Sequence, residues 1–111
     1  MADGDIVLRT SESLHALLLD AQVTTTNGVW VDAAPYAAGF VTIVGITTGT
    51  IEIRGSNAAT RPANASHEAL MATALTADGF VSIPALPKWI KARVTVGTTI
   101  TATAGLYATA R

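Results

Sequence analysis

Apolar and polar side chains alternate along two segments of the chain, and this alternation is typical of β-strands that are buried on one face. In residues 50–57 (TIEIRGSN), Ile51 and Ile53 share a face, and polar side chains take the other. Residues 86–96 (LPKWIKARVTV) alternate in the same way. Because successive side chains of a strand leave opposite faces, both segments are predicted to be half-buried strands. In the second segment the apolar face carries Ile90, Ala92, Val94 and Val96, opposite Trp89, Lys91, Arg93 and Thr95.

Other apolar segments predict that the rest of the chain is also built from strands. Residues 40–46 (FVTIVGI) are apolar almost without interruption, which predicts a central strand covered on both faces. Residues 29–33, 80–83, 99–104 and 106–110 are predicted to be further short strands, with turns at residues 47–49 and 97–98. Residues 55–67 are rich in Gly, Asn, Ala and Pro and predict an exposed loop.

Residues 14–23 and 68–76 fit either a helix or a strand, and the β-rich surroundings favour an extended conformation for the first. Asn27-Gly28 and Asp78-Gly79 are typical hairpin turns. About eight short strands, spaced roughly 8–12 residues apart, predict an all-β fold, an antiparallel β-sandwich or jelly-roll-like domain. We expect residues 28–111 to form this sandwich and residues 1–27 to form an N-terminal arm or an extra edge strand.

The low charge of the chain suggests a surface that is partly covered by a partner. Charged residues make up 14% of the 111 residues, against about 25% in an ordinary soluble domain. A small domain with so few charges leaves much weakly polar surface. The alternative is a monomer whose surface is rich in Ala and Thr.

Composition also excludes several classes of partner and compartment. The net charge is −1 and no basic run exists, which argues against nucleic-acid binding. No apolar stretch approaches the roughly 18 residues of a membrane span. The absence of cysteine excludes disulfides and thiolate metal sites. The N-terminal residues lack the pattern of a signal peptide, so we expect synthesis in a cytosol.

Candidate chemistry is sparse, and we predict no catalytic residue, no metal and no cofactor. His15 and His67 lie far apart in the chain. His67 and Glu68 are adjacent, so on a strand they point to opposite faces and do not make a metal site. The carboxylates show no paired arrangement for acid–base work, and no serine lies in a nucleophile-elbow pattern. The sequence therefore favours a protein that is not an enzyme.

The outer faces of the two alternating strands are the predicted interface. Trp and Arg are enriched at binding hot spots, so Trp89 and Arg93 are candidate anchors. If the two strands are neighbours, Glu52 is expected to pair with Lys91 or Arg93 across the sheet. In the alternative interpretation Trp89 packs under the loop of residues 84–87. The complete candidate interface consists of Trp89, Lys91, Arg93, Glu52, Arg54, Trp30 and Tyr36.

Four motifs resemble a group of small β-sandwich structural proteins of tailed bacteriophages. They are IEIRGSN (51–57), ADGFVSIPALP (77–87), KWIKARVTV (88–96) and TTITATAGLYA (98–108). The resemblance spans roughly residues 28–111. It implies a virion component assembled in the host cytoplasm, above all a decoration or cement protein that binds the major capsid protein on the outside of the head. Symmetric junctions between capsid subunits favour a homotrimer.

Two other functions remain open on the same evidence. One is a tail- or neck-associated module that binds a host glycan through Trp30, Tyr36, Trp89 and Tyr107, because sugar sites present exposed aromatic rings. The other is a head–tail connector component. The sequence does not separate either of them from a cement protein.

Overall fold

Strands form all the regular structure in a computed structural model that describes residues 3–22, 26–34 and 36–110, with the backbone alone for residues 21, 22, 47, 48 and 96–101. The β-branched residues Val, Ile and Thr, which suit a pleated surface, fill much of these strands. In chain order the strands are β1 (Ile6–Arg9), β2 (Ser13–Gln22), β3 (Val31–Asp32), β4 (Ala38–Ser56), β5 (Ala69–Leu70), β6 (Gly79–Ile83) and β7 (Trp89–Thr109).

Strands β4 and β7 pair antiparallel along their whole length, from Ala38 opposite Thr109 to Ser56 opposite Trp89. The register shifts several times between Val44 and Ile51, and such irregularities bend a strand. The paired strands therefore cross from one layer to another, as strands do at the corners of sandwiches. Residues 38–44 and 102–109 lie in one sheet, and residues 50–56 and 89–96 lie in the other.

The other strands extend these two sheets at their edges. Sheet I has the order β1, β2, the C-terminal half of β7, the N-terminal half of β4, and β6. Sheet II has the order β3, the N-terminal half of β7, the C-terminal half of β4, and β5. All pairings are antiparallel. The predicted all-β sandwich is confirmed, while the jelly-roll connectivity stays a prediction.

The sequence prediction divided each long strand in two, and this was wrong. Residues 47–49 and 97–98 were expected to be turns that reverse the chain. Instead Gly49 pairs with Gly97 and Thr48 with Thr99, so both strands continue through the bend side by side. Each strand supplies the backbone partners that the other needs at the corner, which is why the ladder is not interrupted.

The core lies between the two sheets and is built from medium-sized side chains. Val41 and Ile43 of sheet I and Ile51, Ile53 and Ile90 of sheet II are at most 1% exposed. They belong to one continuous apolar cluster. Strand β2 adds three leucines to this cluster, so the described part of residues 1–27 lies in sheet I as β1 and β2. Those leucines are Leu14, Leu18 and Leu19.

Neither predicted hairpin forms. Strands β2 and β3 lie in different sheets, so they do not pair as a hairpin. Thr24 and Thr25, within that predicted turn, lie outside the described residues. Gly28 has φ of +74°, and Thr26 forms an isolated bridge with Val94. Before β6, the side chain of Asp78 accepts a hydrogen bond from the backbone N–H of Ile46 at 2.8 Å. Asn27-Gly28 and Asp78-Gly79 thus lie in segments that connect the two sheets, and not in hairpin turns.

Gly28→Ala is expected to destabilise the fold by at least about 2 kcal/mol, because the backbone conformation disfavours any side chain and no space is left for one. A Cβ at this position would lie 2.0 Å from the carbonyl oxygen of Ala92. Gly79→Ala is the matched control, since the nearest atom there is a leucine methyl at 3.9 Å. Chemical denaturation of both variants measures the difference, and equal losses would contradict this description of Gly28.

Candidate interaction surface

Most of the predicted interface lies on the outer face of sheet II, beside a segment that we call the cap loop, residues 57–68. Three side chains next to this loop, two on β7 and one just before β3, donate hydrogen bonds to its backbone carbonyls. The Trp30 indole N–H donates to Ala63 O at 2.9 Å, and the Trp89 indole N–H donates to Ala58 O at 3.0 Å. Lys91 Nζ donates to Asn64 O at 2.5 Å. The sheet therefore fixes the cap loop through its carbonyl groups.

Most residues of the predicted interface are consequently buried, which corrects the expectation that they face a partner. Trp30 and Lys91 are fully buried, and Trp89 is 8% exposed. Trp89 packs under the cap loop, with Arg61 and Lys88 near its ring. Tyr36 is buried elsewhere, beside β1, where its hydroxyl donates to Thr10 O. A loop that was expected to be exposed covers the aromatic rings because it can satisfy their N–H groups.

The predicted charge pair across sheet II is confirmed. Glu52 and Arg93 are cross-strand partners, and Arg93 Nη1 lies 3.2 Å from Glu52 Oε1. The same carboxylate oxygen lies 2.9 Å from Arg54 Nη2. All three side chains are partly exposed, so each contact contributes only roughly 0.2–1 kcal/mol.

Lys91 is an unusual component of this face because it is a buried cation that forms no salt bridge within the described part of the chain. Its ammonium lies 4.8 Å from the centre of the Trp30 ring, a cation–π distance. Burial, and to a smaller extent the charges of Arg93 and Arg54, together lower the pKa of Lys91 to about 8. Burial also lowers the pKa of His67, together with Lys91 and Arg93. This cluster therefore has a surplus of positive charge under the cap loop.

The outer face of sheet I carries a row of rings that no part of the described chain covers, which we call the aromatic row. It consists of His15 on β2, Tyr107 on β7, Phe40 on β4 and Phe80 on β6. The register places His15 and Phe40 directly opposite Tyr107 on either side. His15 stacks on Tyr107 at 4.2 Å and Tyr107 stacks near Phe40 at 5.2 Å. Phe80 meets Phe40 edge-on at 6.4 Å.

The exposure of this row shows that residues 40–46 are not covered on both faces, as the sequence predicted. Val41 and Ile43 face the core, but Phe40 is 43% exposed and Val44 is 51% exposed. Phe80 is 71% exposed. Residues 40–46 are apolar on both faces of the strand, and the prediction that both faces are buried rested on this pattern. The sandwich has only two layers, so one face of each sheet must remain outside.

Two shallow grooves flank Phe40 on this face. One, of about 520 Å³, is formed by β1, β2, β7 and β4 and is lined by Leu8, His15 and Tyr107, among others. The second, of about 610 Å³, lies between β4 and β6 and includes Phe80. Asp78, at the rim, is the only carboxylate among their lining residues, which include no lysine or arginine. Such a surface suits an apolar partner better than a charged one.

The described residues contain no group of three or more His, Cys, Asp or Glu residues that could hold a metal ion. They contain no helix long and apolar enough to cross a membrane. Two of the four rings expected to bind a glycan, Trp30 and Trp89, are buried under the cap loop. No family model, no curated protein and no solved structure matches the chain.

Proposed function

We propose that this chain is a non-enzymatic structural protein that docks on the outside of a phage head through the outer face of sheet I. The aromatic row and its two grooves carry this proposal. Exposed contiguous apolar surface of this kind marks an interaction site in soluble domains. The resemblance of residues 28–111 to phage β-sandwich proteins supports a capsid lattice as the partner.

The construction of the fold suits such a role. The aromatic row crosses four neighbouring paired strands, so its rings are held on a rigid sheet and lose little conformational freedom on binding. Aromatic side chains supply large contact area at a low entropic cost. The near absence of charge on the face means that docking requires little desolvation of ionised groups. Self-association is part of the same proposal, because lattice junctions are symmetric.

Phe40→Ser is expected to weaken binding to capsids at least about 30-fold, since an aromatic anchor at the centre of an interface contributes 2 kcal/mol or more. The measurement is co-sedimentation with particles assembled from the major capsid protein of the same genome. Arg61→Ala, on the cap loop at the opposite side of the sandwich, is the matched control and is expected to bind normally.

The outcome also separates the alternative functions. Wild-type protein that fails to bind these particles contradicts the proposal. Binding to a glycan array that Phe40→Ser abolishes would favour the host-binding module, and a single feature at the neck in electron micrographs would favour the connector.

A further inference from the structure

The two outer edges of sheet I differ in how they are protected. Edge strands expose unpaired backbone groups, and proteins usually protect them with bulges or charges. Strand β1 has a register shift between Ile6 and Leu8, and Arg9 at its end donates a hydrogen bond to Asp32 O. Strand β6 pairs with β4 in an unbroken register from Gly39–Ile83 to Ile43–Gly79. Its five residues contain no charge and no proline.

The free side of β6 is open in the described structure. No backbone hydrogen bond joins β6 to a described residue other than those of β4. The residues that precede and follow this strand are exposed, and Phe80 is the most exposed large apolar side chain among the described residues. These exposed neighbours are Ala77, Asp78, Pro84 and Ala85, and Ser82 within the strand is also exposed.

We propose that β6 pairs antiparallel with β6 of a second copy, around a two-fold axis at Val81. In this register Phe80 of each copy lies opposite Ser82 of the other, on the outer face. The large ring thus meets a small side chain that leaves room for it, and it comes beside the partner copy's Phe40, which is the cross-strand neighbour of Ser82. The edge carries no like charges that would oppose self-pairing. Because β6 is complementary to itself in this register, the partner strand is β6 of a second copy of the chain and not another strand.

The axis is perpendicular to the sheet, so the aromatic rows of both copies lie on the same side and form one continuous surface. An edge that pairs with its own copy closes with two subunits, so this proposal replaces the homotrimer expected from the resemblance. Where the proposed function holds, the dimer presents two docking faces at once and gains avidity from their linkage.

Paired charge variants test the edge. Phe80→Lys/Ser82→Lys places lysines opposite lysines in the dimer, and Phe80→Glu/Ser82→Glu places glutamates opposite glutamates. Both side chains are exposed, so the fold is expected to survive, which circular dichroism checks. In sedimentation equilibrium we expect wild type at twice the monomer mass and each variant at least tenfold weaker in self-association. An equal mixture of the two variants is expected to restore the dimer, because every lysine then faces a glutamate.

Cysteine crosslinking tests the register without changing charge, in a chain that has no native cysteine. Val81→Cys puts two thiols directly opposite each other, within disulfide reach. Ser82→Cys is the matched control, because its two thiols are offset by about 8 Å along and across the strands, beyond that reach. We expect Val81→Cys to form a covalent dimer under mild oxidation and Ser82→Cys to remain monomeric on a non-reducing gel.

Three results would overturn the pairing: wild type that remains monomeric at high micromolar concentration, a mixture of charge variants that stays monomeric, or Ser82→Cys that crosslinks as readily as Val81→Cys. These readouts use the isolated protein. A failed dimer with normal capsid binding therefore rejects the β6 pairing alone, and a normal dimer without capsid binding rejects the proposed function alone.

Discussion

Trp30→Ala is expected to lower the free energy of unfolding by about 3–5 kcal/mol, the cost of removing a large buried ring. Trp30 is fully buried, its indole N–H donates to Ala63 O in the cap loop, and its ring lies under the ammonium of Lys91. The substitution thus leaves a cavity, an unpaired carbonyl and a buried cation without its aromatic contact. Urea unfolding followed by circular dichroism measures the loss.

Trp30→Phe is the matched control, because it keeps a six-membered aromatic ring but removes the N–H group together with the rest of the five-membered ring. Its expected cost is about 1–3 kcal/mol, that of one buried hydrogen bond. Limited proteolysis of Trp30→Ala should cut first within residues 57–68, since the cap loop loses one of its three anchors. A loss below about 1 kcal/mol, with an unchanged cleavage pattern, would contradict the anchoring of the cap loop by Trp30.

Raising the pH from 7 to 9.5 is expected to stabilise the protein by about 2 kcal/mol through Lys91. Its pKa falls from an ordinary 10.5 to about 8 in the folded chain. Between these two values the unfolded chain binds the proton more tightly, so stability rises as the pH rises, by about 3 kcal/mol over the whole interval. The penalty is fully present below pH 8, where the buried amine is charged.

Lys91→Met is expected to remove most of this rise, and Lys88→Met, at the other lysine of the chain, is expected to preserve it. At pH 7 the Lys91→Met variant should be about as stable as wild type or more stable, because an apolar side chain of similar volume avoids the cost of a buried charge. Unfolding free energies at several pH values give the comparison. A parallel pH profile for wild type and Lys91→Met would contradict the assignment of the rise to Lys91.

Local alternation predicted the strands of sheet II well because side-chain direction in a strand depends on the pleat alone. Ile51, Ile53 and Ile90 are buried as expected, and Glu52 meets Arg93 across the sheet. Alternation did not show what covers the other face. Trp89 and Lys91 are buried by the cap loop, whose contacting residues lie 31 and 27 positions away in sequence. No local pattern of side chains indicates such a contact.

The exposed apolar face of sheet I was missed for a related reason. A strand apolar on both faces predicts burial only if the fold supplies a third layer, and the number of layers is a property of the whole chain. Phe40 and Tyr107 become neighbours through the β4–β7 ladder, which joins distant segments. The sequence also did not predict the bend of that ladder, because the residue types at the bend, Gly and Thr, are also found in turns.

Electron cryomicroscopy of capsids carrying this chain tests the central claim most directly. The particles would be assembled from the major capsid protein of the same genome, with this protein added. We predict regular protrusions over the head, in which Phe40, Tyr107 and Phe80 lie at the contact with the capsid surface and the cap loop faces solvent. Density that leaves the aromatic row exposed to solvent, or that places the cap loop against the capsid, would contradict the claim.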